Sequence, residues 1–551
     1  MDDTIKLALE TVRMNKQAIV FVSSKASAER TAEDIANLIS KIHNPELLNQ
    51  LSEQSLKSVS SPTKQCKRLA KTLKKGIAFH HSGLASKQRD IVEDNFRNGD
   101  ITIICCTPTL AAGLSLPAYR VILKSLKRFS GKWGMDWIPV LEYMQMAGRA
   151  GRPEHSKLGE AISISRTVIE KDEIYNRYIC GVPEDIYSKL AAEPVLRTYL
   201  LSLIASGIIK TKKEMKDFFR ETFWAAQYND FDELESIMDR TLKKLIEWGF
   251  VVDKKKLGSL RVDDKNNNIL KTDSMFVSAK DMWKKVKKIP STVTDNSCED
   301  KDQLRATMIG KRVSQLYLDP LTARSLLDRM ERANKLDTEI KIFSYLQAVS
   351  NTIEMRPLLR VKKKEFDLIQ SELLNNFDNL LQKEPDHFDY EYSMFMNSIK
   401  TALFFESWAN ESGEDLLFDK FDVRPGEIRA KLEIANWLLY SLIELTGLLN
   451  YKDIRRDLRK LRYRLKNGVK EELLPLLKLK GVGRKRARRL YNNGLKDFGD
   501  LKKVDLSTLS QLIGKAMAVN VKNQLGEDIP VEVSAGKRKG QLGLNRFGST
   551  Q

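Results

Sequence analysis

Arg149 and Arg152 stand three residues apart in the stretch Gln145-Met-Ala-Gly-Arg-Ala-Gly-Arg-Pro153, each following closely on a glycine. Guanidinium grips phosphate through a planar pair of donors, and glycine lets a short loop turn tightly enough to aim two such forks at one polyanion. The spacing suits a polyphosphate; without a ligand it would be a solvated basic turn. A denser cationic region lies near the other end. Residues 451–500 carry 17 Lys and Arg against 6 Asp and Glu, and their centre reads LLKLKGVGRKRARRLYNNGLKDFGDLKKV. Gly481 and Gly483 fit a hairpin whose backbone can approach a phosphate at a helix N-terminus, with Arg484, Lys485, Arg486 and Arg488 around it. Such a patch makes nucleic-acid affinity salt-dependent. A third constellation sits in VRPGEIRAKLEIANWLLYSLIEL, where Pro425-Gly426 precede a helix with Arg429, Glu433 and Trp437 at steps of four on one face. Guanidinium and aromatic groups so placed can stack on successive bases of a single strand, each worth about 1–3 kcal/mol. The alternative for Trp437 is a core tryptophan.

Other chemistries find little support. Cys66, Cys105, Cys106, Cys180 and Cys298 show no paired metal spacing and read as free thiols, with Cys105 and Cys106 inside an apolar strand. His43, His155 and His387 stand alone and read as structural. No stretch of about 18 apolar residues occurs, and the N-terminus lacks a signal-peptide pattern. A net charge of +20 and pI near 9.4 suit a polyanionic partner, so a soluble, cytoplasmic nucleic-acid-binding protein is expected.

The elements that would position these groups follow from periodicity. Near-continuous apolar runs at Ala18–Ser24, Gly76–Ser82, Ile101–Thr107, Arg120–Ser125 and Gly159–Ser165 predict strands buried on both faces. Amphipathic stretches between several of them predict helices, hence a parallel α/β sheet with functional loops at strand ends. From about residue 178 the pattern becomes helical and ends in LKKLIEWGFVVDK, a helix running into a short strand. Helices followed by a strand predict a winged helix, with the polar stretch at about 253–304 as an exposed wing or insertion.

Three loop texts at strand ends, AFHHSGL (78–84), TPTLAAGLSLPA (107–118) and QMAGRAGRP (145–153), together resemble the second RecA-like domain of Ski-like superfamily 2 helicases. The resemblance implies that Gln145, Arg149 and Arg152 act catalytically as motif VI, reaching ATP across a cleft. It makes Thr107, Gly113 and Gly148 nucleotide-cleft and coupling residues, and Thr109 a DNA contact. Ser115 replaces the family's asparagine. His80 and His81 end a strand at a family motif, where they meet either a nucleic-acid phosphate or the packed interior. SKLAAEPVLR resembles the family's winged helix, and Thr307-x-x-Gly310-x-x-x-Ser314-x-x-Tyr317-x-x-Pro320-x-Thr322-Ala323 resembles the start of its Sec63-like helical domain. The helix bearing Trp437 resembles the family's ratchet helix; Ala430 takes the place of its usual arginine, leaving Arg429 or Lys431 as the stacking partner.

The order of parts resembles the Hjm/Hel family of archaeal ATP-dependent DNA helicases over nearly the whole chain. The expected fold class is multidomain α/β plus mostly α. A second RecA-like domain would span 1–178, a winged helix 179–305, a helical ratchet domain 306–450, a helix-hairpin-helix domain 451–526 and a tail 527–551. The implied activity is ATP- and Mg²⁺-dependent 3′ to 5′ translocation on single-stranded and forked DNA in an archaeal, nucleoid-associated setting. Two rivals stay open: an RNA helicase of the same group, and a non-catalytic DNA-binding module. No G-x-x-x-x-G-K-[ST] loop and no Asp-Glu-x-His or Asp-Glu-Ala-Asp box occurs. The expectation is that the first RecA-like domain is absent, through truncation, a split gene or a fragmentary reading frame, and that the chain alone is inactive. In the tail, Gln541, Leu544 and Phe547 keep the spacing of a sliding-clamp peptide, although Gly548 stands where a second aromatic would be expected; a tail without partner is the alternative.

Overall fold

The computed structural model describes residues 2–40, 44–59, 62–111, 116–129, 134–151, 158–190, 192–228, 231–253, 303–336 and 339–526. Arg152, Gly113, Ser115, His43, His155, Cys298, Gln541, Leu544 and Phe547 lie outside them. The chain divides into two compact units, one of Met1–Phe404 with Gly413–Leu458, the other of Phe405–Ser412 with Arg459 onward. The boundary falls inside the helix Lys452–Asn467.

The first unit opens with a five-stranded parallel sheet in the order Ile77–His80, Ile103–Cys106, Ala18–Phe21, Arg120–Leu123, Glu160–Ser163. The register is uniform: Ala18 lies opposite both Ile103 and Arg120, and Phe21 opposite Cys106 and Leu123. The first four strands are buried along their whole length, which is why they read as largely apolar runs, with His80 at the end of one and Arg120 at the start of another, each paired to a carboxylate. The edge strand Glu160–Ser163 is only partly buried. Parallel pairing brings all five carboxyl ends to one edge, so the loops beginning at Val22, His81 and Thr107 leave the sheet together.

Four helices, Glu193–Ala205, Lys212–Arg220, Phe223–Tyr228 and Phe231–Glu247, precede an antiparallel strand pair, Val251–Asp253 with Leu304–Ala306. The Thr-x-x-Gly pattern that follows has a physical reason. The Thr307 hydroxyl donates to the Gly249 carbonyl at 2.8 Å and accepts from Gly310 N, capping the helix Met308–Gln315. A Cβ on Gly310 would stand 2.0 Å from the Phe250 carbonyl oxygen, so only glycine lets that helix lie on the strand. Arg197 then locks the winged helix to the next helix, Pro320–Asn334, by a bidentate, buried pair with Asp319 at 2.7 and 2.7 Å. Pro320 starts that helix at N1, where its missing N–H costs nothing. The long helices Tyr390–Ala409 and Pro425–Leu448 carry the following helical region.

In the second unit short helices pack around Leu473, Leu476, Leu490, Leu501, Leu509 and Val521. Among the described residues no helix is long and apolar enough to cross a membrane, and no cluster of ligating side chains could hold a metal ion.

Candidate nucleotide and nucleic-acid sites

At the sheet's carboxyl edge, Thr107 ends the strand Ile103–Cys106 and is buried, its hydroxyl 2.9 Å from that of exposed Thr109. A 3-10 turn, Pro108–Leu110, follows. Its end is tied to the glycine-arginine turn: the Arg149 guanidinium donates to the Ala111 carbonyl, Ala118 N to Arg149 O at 3.0 Å, and Gly151 N to Ala118 O at 2.8 Å. The turn depends on Gly151, whose φ of 64° lies in the left-handed region and whose added Cβ would meet Gly159 Cα at 2.9 Å. Gly148 caps the helix Val140–Ala147 and is exposed, as is Gln145 one turn earlier. Arg149 therefore differs from the expectation of a side chain presented to phosphate. It is half-buried and braces the neighbouring loop by donating to the Ala111 carbonyl.

Under the His81–Leu84 loop lies a charge cluster that spacing did not reveal. His81 is fully buried; Nδ1 accepts from Gly83 N at 3.1 Å, and Nε2 faces Glu29 Oε1 at 3.2 Å. With Nδ1 accepting, the proton sits on Nε2. Both nitrogens are committed inside the protein, so the expected DNA contact by His81 does not hold, and the packed alternative does. His80 likewise faces Glu93 at 2.8 Å. Glu29 also receives Arg68 and Arg424, the latter at 3.2 Å. Burial would push the Glu29 carboxyl up, but the His81 hydrogen bond and the two guanidiniums outweigh it and hold its pKa to about 2. Burial pushes His81 below the ordinary histidine value.

Arg424 immediately precedes the helix Pro425–Leu448, so this cluster fixes where that helix starts. Glu427 closes the cap by accepting from Arg424 N at 2.9 Å and pairs with Lys25. Gly426 N donates to Gly83 O at 2.9 Å, and a Cβ there would stand 2.1 Å from the Ser82 carbonyl oxygen. Glycine after a helix-starting proline, a poor helix former in a first turn, was the available signal for this close approach. Along the helix Arg429, Ala430 and Glu433 are exposed and Trp437 is half-buried. Lys431 donates to the Pro357 carbonyl at 2.7 Å, which removes it as stacking partner. Arg429 has no hydrogen bond or ion pair among the described residues. The Trp437 indole N–H is spent on the Leu316 carbonyl at 3.0 Å, so only its ring surface is open to a ligand.

In the second unit Gly481 turns with φ 87° and Gly483 caps the helix Arg484–Asn492 in extended backbone, the expected hairpin and helix N-terminus. Gln524 clasps the hairpin through Lys480 N and O at 2.7 and 3.0 Å. The four cations differ. Lys485 and Arg486 are exposed, Arg486 also donating to Gly481 O at 2.8 Å. Arg484 lies 5.3 Å over the Trp408 ring and donates to Ser412 O. Arg488 departs from the expected phosphate ring: it is bidentate to Glu411, at 2.8 and 2.5 Å, and 2.7 Å from Glu472. Two carboxylates already occupy the fork that a phosphate would need. They hold Arg488 firmly cationic, and burial of Glu411 is outweighed by Arg488 so that its carboxyl stays low.

A parallel α/β domain with two stitched strand-end loops, followed by a winged helix, a helical region and a helix-hairpin-helix, defines the C-terminal portion of a helicase. Family models agree in order: helicase conserved C-terminal domain over 2–154, helix-turn-helix domain over 170–252, archaeal helicase domain 4 over 343–468, and SAM-like helix-hairpin-helix tandem over 473–527. The chain is 34% identical over 535 residues to the ATP-dependent DNA helicase Hel308 of Methanocella arvoryzae, covering 96% of this chain and 65% of that protein. It is 34% identical over 540 residues to Hel308 of Pyrococcus horikoshii, covering 98% and 67%. The chain belongs to the Hel308 family of DNA helicases and spans about two thirds of the length of these relatives.

Proposed function

We propose that the chain is the DNA-handling portion of an ATP-dependent helicase that moves 3′ to 5′ on single-stranded and forked DNA during fork repair. The observation that carries this reading is the stitch between the Thr107–Ala111 loop and the Arg149–Gly151 turn, which makes two loops at the sheet edge a single body. ATP with Mg²⁺ supplies the free energy, held mainly by a first RecA-like domain that these 551 residues do not contain. Gln145, which is exposed, and Arg152 would reach toward its phosphates, while Arg149 keeps the Thr107–Ala111 loop in register. Gly113 and Gly148 allow that edge to be approached closely, and Thr109 meets the DNA backbone. Arg429 and Trp437 hold unpaired bases, and Gly481, Gly483, Arg484, Lys485 and Arg486 hold phosphates of the strand beyond.

The domains act as the order expected from sequence, with 1–178 moving against the first RecA-like domain and 306–450 gripping the strand. Gln541, Leu544 and Phe547 are offered to a sliding clamp. The absence of a Walker loop from the sequence favours one rival, a DNA-binding module without turnover. Strand displacement separates the readings. The chain, complemented with a first RecA-like domain from the same source, should unwind 3′-tailed DNA forks when ATP is added and RNA duplexes poorly. Binding without unwinding would support the module, and equal RNA unwinding the RNA helicase.

A further inference from the structure

Most of the Thr307–Ala323 motif is explained by the fold: Thr307 caps, Gly310 permits contact, Pro320 starts a helix, Thr322 donates to Glu354 at 2.8 Å, and Ala323 is buried. Tyr317 is not. Its side chain is 84% exposed and enters no aromatic pair or hydrogen bond among the described residues, yet its backbone sits in the left-handed region at φ 54°. The surrounding bonds show why that conformation is required. Leu318 N donates to Val313 O at 3.2 Å and Tyr317 N to Ser314 O at 3.0 Å, the paired bonds that end a helix with one left-handed residue. Glycine is the ordinary occupant of that position, because a Cβ there is strained. A large aromatic ring thus stands in solvent at a position where the backbone disfavours it. Strain kept at an exposed residue points to a ligand.

The neighbour identifies the ligand. The Trp437 indole N–H is bonded to the carbonyl of Leu316, the residue preceding Tyr317, at 3.0 Å. Peptide geometry then places Tyr317 Cα within about 6 Å of the indole nitrogen. Trp437 is half-buried with its only polar atom occupied, so stacking is the contact left to it. A salt bridge between Arg312 and Glu444 at 2.6 Å fixes the helix that ends at Tyr317 against the helix that carries Trp437. The residues that carry the two aromatic rings are therefore neighbours on rigid elements, one at a helix end and one on a helix face. Arg429, two turns before Trp437, extends the same row with a cation.

We propose that Tyr317 is a second base-stacking platform, which together with Trp437 forms a subsite for unpaired bases of a single strand. The inference rests on the reading of Trp437 as a base contact. It also assigns a role to the motif's tyrosine that packing does not supply.

Tyr317→Gly provides the test, because strain and function predict opposite signs. The variant should hold or raise the midpoint of thermal unfolding, since glycine suits the left-handed turn. It should weaken binding of a fluorescent oligothymidine by about fivefold to a hundredfold, the loss of one stacked base. Tyr317→Phe should keep the affinity, and Tyr317→Asn should behave like glycine. Oligonucleotides with one abasic site moved along the strand should reveal a position that costs the wild type affinity but costs Tyr317→Gly nothing further. A Tyr317→Gly protein that unfolds at markedly lower temperature would overturn the proposal in favour of packing. If Tyr317→Gly leaves affinity unchanged while Trp437→Ala weakens it, this inference fails alone; if neither variant weakens it, the reading of the helix face fails as well.

Discussion

A carboxylate as buried as Glu29 persists in charged form only because His81, Arg68 and Arg424 converge on it. Removing it leaves cations facing a cavity, so Glu29→Ala should destabilise the first unit by about 3–5 kcal/mol, measured by urea denaturation. The same group gives a pH dependence with a definite sign. With a folded pKa near 2 against an ordinary 4.5, Glu29 contributes stability above pH 4.5 that is lost as pH falls toward 2. His81 is depressed below 6.5, so below that pH the unfolded chain takes up its proton first and stability falls there too. Unfolding temperature should therefore decline on acidification from pH 7, and His81→Asn should show a smaller drop between pH 7 and pH 5 than the wild type. An equal drop in both proteins would place the titrating group elsewhere.

Basic residues at the hairpin divide by partner as well. Lys485→Ala with Arg486→Ala should flatten the log–log salt dependence of DNA binding by about 0.7–0.9 per lost phosphate contact, with little change in unfolding. Arg488→Ala should leave that slope unchanged and lower the unfolding midpoint, because Glu411 and Glu472 lose their common cation. A flattened slope in Arg488→Ala would mean that its carboxylates yield to phosphate. No local signal distinguishes Arg488 from Arg484 or Arg486 in GVGRKRARR. Its partner Glu411 is 77 residues away, and Arg424 meets Glu29 across 395. What pairs with what is decided by the tertiary fold, whereas helix periodicity alone presents Glu29 as one more charge on an amphipathic face.

At the scale of elements the sequence was far more legible. Strands buried on both faces are mostly apolar, so the apolar runs are the strands of the parallel sheet, the edge strand Glu160–Ser163 being only partly buried, and the glycine pair at 481 and 483 forms the hairpin. The seam between the His81–Leu84 loop and the start of the Pro425–Leu448 helix was not legible, because its determinants are the absence of a side chain at Gly83 and Gly426 and a backbone bond between them. With the Ser82 and Leu84 carbonyls 2.1 and 2.6 Å from the site of its Cβ, Gly426→Ala must move backbone on one side. The expected loss is about 1–3 kcal/mol, as for overpacking. Gly483→Ala, whose Cβ meets nothing within 4 Å, is the sterically open comparison and should cost only the preference of an N-cap for glycine over alanine, about 0.5–1 kcal/mol, with no overpacking added. Equal urea midpoints for the two variants would show that the seam opens freely in solution.

On the scale of the molecule, a charge of +20 and four family matches in helicase order leave one chemical question, whether the glycine-arginine turn meets a phosphate. The question bears on Arg149 and on Arg152 differently. Arg149 is half-buried against the Ala111 carbonyl, so Arg149→Ala acts on the register of the Thr107–Ala111 loop. Arg152 is the group proposed to stabilise charge on the transferring phosphate, an effect that can be worth about 10³ to 10⁵ in rate. The chain alone is expected to bind single-stranded DNA without turning over ATP, since the phosphate cradle and Mg²⁺ ligands are proposed to lie mainly in the first RecA-like domain. Supplying that domain, in trans or by fusion, should give an ATPase stimulated by single-stranded DNA. In that complex Arg152→Ala should lose most of the turnover with DNA affinity nearly unchanged, and Arg152→Lys should not restore it, because a point charge cannot reproduce the planar fork. Arg149→Ala should also lose turnover, but with altered DNA stimulation, because the loop it braces carries Thr109. Near-normal turnover in Arg152→Ala would make the turn a basic corner of the sheet and leave the nucleotide to be gripped from one side only.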